Sequence, residues 1–184
     1  GILEAWSDDD FSILSVAVLG ERIDILKALL DYGVDPNIEN RADGGTALMC
    51  AALKDRDDMA RLLLAAGARI DKTYWDRDDH DALIVAAKTG SVRVLALLIQ
   101  RGANVSRITK WGATALMEAS LVADQPQVID TLIKAGADPN QVVPGRWNAL
   151  DCAVMYGRIN AARVLRQQGA VIQSGPPYPE VRRG

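Results

Sequence analysis

Apolar residues fall along this chain in paired clusters that return at a fixed interval. The second cluster of each pair carries the larger aliphatics: Ile25, Leu26, Leu29 and Leu30; Leu62, Leu63 and Leu64; Val94, Leu95, Leu97, Leu98 and Ile99; Val128, Ile129, Leu132 and Ile133. Spacings of three and four put such residues on one helical face. A glycine closes each cluster. Gly33, Gly67, Gly102, Gly136 and Gly169 stand 34, 35, 34 and 33 residues apart, and glycine is the residue that best tolerates the left-handed conformation ending a helix. The first cluster of each pair opens at Leu14, Leu48, Leu83, Leu116 or Leu150. Two positions earlier stands Ser12, Thr46, Asp81, Thr114 or Asn148, all able to cap a helix N-terminus. Small residues follow (Ala17, Ala51-Ala52, Ala86-Ala87, Ala119-Ser120, Ala153) and allow neighbouring helices to pack closely. A fixed period near this length means one helix-turn-helix unit stacked several times.

Between repeats, Asp35-Pro36-Asn37 and Asp138-Pro139-Asn140 read as turns. The connections after Asn37 and Asp71 are longer than the one after Asn140. A further residue is inserted between the helices of the fourth repeat, near Ala123-Asp124-Gln125-Pro126. At the end of the fifth repeat, Arg166-Gln167-Gln168 gives the polar outer face of a terminal cap.

These repeats resemble the ankyrin repeat family, whose signature is T-P-L-H-x-A on a period of 33. The matching segments are Thr46-Ala47-Leu48-Met49, Asp81-Ala82-Leu83-Ile84, Thr114-Ala115-Leu116-Met117 and Asn148-Ala149-Leu150-Asp151. The resemblance implies an all-α fold: an α-solenoid of five helix-turn-helix repeats with β-hairpin or loop fingers. It spans 12–173, with repeats at 12–44, 45–79, 80–111, 112–145 and 146–173. Residues 1–11 read as an N-terminal cap or the stub of a preceding repeat, and 174–184, with Pro176, Pro177 and Pro179, as an extended or disordered tail. The sequence departs from the signature twice. Proline is replaced by alanine (Ile13 in the first repeat), removing a favourable first helical residue, and the histidine is absent throughout. Met49 and Met117, in the histidine slot, read as packing residues.

The net charge of −3 offers no basic face for phosphate, so nucleic acid is not expected as a partner. No apolar run approaches a membrane span. Cys50 and Cys152 sit three repeats apart, too far to pair, and two unpaired thiols suit a reducing compartment, so a cytoplasmic location is expected. Opening on Gly1, the chain reads as trimmed or processed, which leaves a periplasmic or secreted origin open.

No catalytic constellation and no cofactor is expected. The one histidine, His80, lies among Asp76, Asp78, Asp79 and Asp81. It reads as a solvated loop tip, the alternative being a metal-dependent or enzymatic role. The resemblance implies that binding, where it occurs, uses finger tips and the exposed ends of the first helices. Trp75, Trp111 and Trp147 fall in fingers, with Tyr74 beside the first. Leu121, Val122, Met155 and Tyr156 fall at helix ends, and Arg107, Lys110 and Arg146 give the later fingers positive charge. Aromatic residues and arginine dominate binding hot spots. These eleven residues define the expected partner surface of a non-catalytic protein-binding module, a scaffold, adaptor or inhibitor. A monomer is expected, with self-association through exposed tryptophan as the alternative.

Overall fold

The computed structural model describes residues 10–73, 79–122, 124–142 and 147–173. Among them are ten α-helices in five pairs: α1 (Ile13–Leu19) with α2 (Ile23–Asp31), α3 (Ala47–Leu53) with α4 (Asp57–Ala65), α5 (Ala82–Thr89) with α6 (Val92–Gln100), α7 (Ala115–Val122) with α8 (Pro126–Lys134), and α9 (Ala149–Met155) with α10 (Ile159–Gln167). The odd-numbered helices pack in sequence as one layer and the even-numbered helices as a second. The result is the all-α solenoid that the repeat pattern implies. The fingers contain isolated antiparallel bridges, Thr73 with Asp81 and Ile108 with Thr114.

The first-helix layer is tight because its interior positions are small. Ala51, Ala52, Ala86, Ala87, Ala119 and Ala153 are essentially fully buried. Met49 and Met117 are buried too, so both methionines pack rather than face solvent. The caps form largely as their residue types dictate. The Ser12, Asp81 and Thr114 side chains accept from the amides of Ser15, Ile84 and Met117, and Asn148 with Asp151 makes a reciprocal capping box. Thr46 makes no side-chain cap bond.

Each period glycine adopts positive φ, from 83° at Gly169 to 99° at Gly136. At each, the glycine N–H and that of the next residue fold back onto the preceding helix, as Gly33 to Leu30 and Val34 to Leu29.

The second helices are not capped from within their own N-cap positions. The Asp55 carboxylate, from the turn of the second repeat, accepts from the amides of Arg93 and Val94 in the third, both at 3.0 Å. Asp124 does the same for Ala161, at 2.9 Å. At the junction between them α8 begins with Pro126, which has no N–H to satisfy.

Candidate functional site

The third finger is built to hold one aromatic ring outward. Thr109 N–H bonds the Ala113 carbonyl, Ala113 N–H bonds Thr109 Oγ1, and Gly112, at φ 86°, closes the turn onto the Thr109 carbonyl. Trp111 sits in that turn and is 70% exposed. Lys110 Nζ lies 5.5 Å from its ring centroid, within cation–π range. The far end of α7, in the fourth repeat, presents Val122, 49% exposed, beside half-buried Leu121. The next repeat adds Tyr156, 54% exposed, and half-buried Met155. Arg158 Nε donates to the Leu121 carbonyl at 2.9 Å, which ties the two helix ends into one surface.

Other expected residues are engaged internally. Arg107 is a brace: its guanidinium meets Asp79 Oδ2 at 2.9 Å and Asp81 Oδ2 at 3.6 Å, and donates to the Asp79 carbonyl. The Lys110 N–H also bonds Asp79. Burial opposes ionisation of Asp79, but the Lys110 amide and the Arg107 charge overcome it and hold the carboxyl below its usual range. Burial pushes the Asp81 carboxyl up, against the pull of the Ile84 amide and Arg107. Trp147 packs half-buried against the core. Tyr74, Trp75 and Arg146 lie outside the described residues.

His80 corrects the sequence expectation. It is buried, at 6% exposure, with Nε2 3.7 Å from Glu118 Oε1, and Lys88 approaches the same carboxylate at 3.9 Å. The reason is long-range. Glu118 arrives from α7, and the Arg107–Asp79 brace holds the chain next to His80 down onto it. Among the described residues no three His, Cys, Asp or Glu side chains converge as a metal site would need; Asp76 and Asp78 lie outside them. Cys50 and Cys152 are buried and free, and burial pushes both thiols up to about 11.

Tyr32 escaped the sequence reading and is 76% exposed. The signal was present: it immediately precedes Gly33, where other repeats place Ala66, Arg101, Ala135 and Gln168.

Stacked helix pairs, left-handed glycine caps and projecting fingers define a repeat protein that works through its surface. The model of ankyrin repeats (3 copies) matches residues 3–74 and 71–143, and the chain belongs to the ankyrin repeat family. A putative ankyrin repeat-containing protein of Treponema pallidum (strain Nichols) is 34% identical over 122 residues, 66% of this chain and 40% of that protein. The human SH3 and multiple ankyrin repeat domains protein 2 is 27% identical over 149 residues, 80% of this chain and 8% of that protein. E3 ubiquitin-protein ligase KEG of Arabidopsis thaliana is 28% identical over 170 residues, 91% of this chain and 10% of that protein. The chain thus spans 40% of the length of the first of these relatives and about a tenth or less of the other two. Ankyrin repeats are a general protein-interaction module, and that much of the expected function holds. No helix among the described residues is long and apolar enough to cross a membrane.

Proposed function

We propose that this chain is a non-catalytic adaptor that binds a protein partner across the groove between its fingers and its first-helix layer, centred on the third to fifth repeats. The observation that carries the reading is the exposure of Trp111 on a rigid turn, together with Val122 and Tyr156 at the helix ends. Exposed aromatics of this kind anchor interfaces. The eight residues of α7 separate finger from helix end by about 12 Å, a span that an extended segment or a helix of a partner crosses. Two buried free thiols suit a reducing compartment.

The test is a variant carrying Trp111→Ala, Val122→Ser and Tyr156→Ala. Affinity capture from the native source identifies the partner, and calorimetry then compares the two proteins. Removing two hot-spot rings is expected to weaken binding about a hundredfold or more, with the melting temperature unchanged. Equal affinity in the two proteins would remove the reading.

A further inference from the structure

The junctions between fingers provide their own controls. At the first junction Asn37 crosses to the next repeat: its Nδ2 donates to the Gly67 carbonyl at 3.1 Å and its Oδ1 accepts from the Arg69 amide at 2.7 Å. At the last junction Asn140 makes the same pair, to the Gly169 carbonyl at 3.1 Å and from the Val171 amide at 2.9 Å. One carboxamide thus satisfies one carbonyl and one N–H of the neighbouring loop, twice, with nearly the same geometry.

The second junction has no such bridge. Its equivalent residue is Asp71, and the equivalent backbone groups are the Gly102 carbonyl and the Asn104 N–H. A carboxylate cannot donate to a carbonyl. Asp71 turns back instead to Arg69 of its own turn, in a two-point pair at 3.1 Å. At the bridged junctions the residue matching Arg69 is Asp35 or Asp138, whose carboxylate accepts from the bridging asparagine's own N–H. The triplet Asp-Pro-Asn has become Arg-Ile-Asp, and the side chain that would cross is held at home. No hydrogen bond among the described residues joins Asp71 to the loop of Gly102 and Asn104.

A cleft of about 370 Å³ lies at this place, lined by Ala68, Ile70, Asp71, Gly102, Asn104 and Arg107, among others. Ala68 and Ile70 give it apolar wall. Arg107 is already engaged by Asp79 and Asp81, so the Gly102 carbonyl and the Asn104 N–H, on exposed residues, are the polar groups left without a protein partner among the described residues. Their chemistry is selective. An ammonium offers donors only, and a carboxylate acceptors only. A carboxamide offers both, and it is the group that fills the matched position at two of the other three junctions, Ser106 standing there at the remaining one.

The geometry points to this cleft as a binding site for a carboxamide side chain, a glutamine or asparagine of a partner protein. The site lies at the bases of the second and third fingers, apart from the Trp111 surface, so it stands or falls independently of that proposal.

The test uses the whole chain, isotope-labelled for NMR, and three short probes: acetyl-Gly-Gln-Gly-N-methylamide, its asparagine counterpart and its glutamate counterpart. The glutamine or asparagine peptide is expected to shift the Gly102, Ala103 and Asn104 amide signals saturably, with the glutamate peptide about tenfold weaker or more. Asp71→Asn supplies an internal carboxamide, so it is expected to raise the melting temperature and to weaken peptide binding about tenfold. Asp71→Ala removes the same charge without supplying the bridge, and is expected to bind within about threefold of the wild type. Absence of saturable shifts at those residues, equal binding of the glutamate or a triglycine peptide, or an Asp71→Asn variant that binds like Asp71→Ala would each overturn the assignment.

Discussion

Asp55 carries more of the stack than its place in an exposed turn suggests. Its carboxylate caps α6 of the following repeat through the amides of Arg93 and Val94, and Arg93 Nε pairs with its second oxygen at 3.0 Å. It does so from φ 50°, a conformation unfavourable for most side chains but tolerated by aspartate and asparagine. In Asp55→Ala the cap is lost, at about 1 kcal/mol, the exposed ion pair at about 0.5 kcal/mol, and the backbone strain rises by a few tenths to about 1 kcal/mol. The expected total is about 2 kcal/mol. For a chain of this size that is a fall in melting temperature of roughly 4–8 °C. Asp55→Asn keeps an acceptor oxygen and the tolerated conformation, so it is expected to lose less than about 1 kcal/mol. Asp55→Gly loses the cap but relieves the strain, and falls between the two. Urea unfolding of the three variants measures the order, and hydrogen exchange reads the cause, since the Arg93 and Val94 amides are expected to lose protection first. A loss below about 0.5 kcal/mol in Asp55→Ala, or a glycine variant less stable than the alanine one, would refute the reasoning.

Two further predictions rest on single contacts. A Cβ at Gly90 would lie 2.2 Å from the Gln125 amide, at φ 80°, but that amide ends a flexible side chain that can swing aside, so Gly90→Ala is expected to destabilise about as much as Gly102→Ala, by the conformational cost of about 1 kcal/mol; adding Gln125→Ala to the Gly90 variant is expected to change little further, as chemical denaturation would show. With both thiols pushed from 9.0 to about 11, thiolate near pH 8 is about a hundredfold scarcer than for an unperturbed thiol, so iodoacetamide is expected to label native Cys50 and Cys152 at least that much more slowly than the unfolded chain; mass spectrometry of timed samples would show equal rates if the burial argument were wrong.

The features legible in the sequence are those set by a residue's own chemistry. Glycine at a helix end, serine or aspartate at a helix start and alanine in a tight layer each needed no knowledge of a distant neighbour, and together they gave the solenoid. What stayed hidden depends on pairs far apart in the chain. His80 sits among aspartates and reads as solvated; only the arrival of Glu118, 38 residues on, makes it interior. Arg107 reads as a free charge until Asp79 and Asp81 are seen to hold it. Trp111 and Trp147 look alike as finger residues, yet one turn exposes the first ring while the core takes up the second. Asp55 gave no signal at all, because its role belongs to the next repeat.

The five period glycines lead to a different kind of conclusion. A Cβ built on any of them meets no atom of the described residues within 4 Å beyond its own chain neighbours, yet each holds a φ above 80°. Space is not what excludes other side chains there; handedness is. A mirror-image residue such as D-alanine prefers that half of conformational space and would sit at Gly33, Gly67, Gly102, Gly136 or Gly169 at ease. Among the residues a ribosome supplies, glycine is the one without chirality, and the regular beat of this sequence marks the places where the fold asks the chain to be achiral.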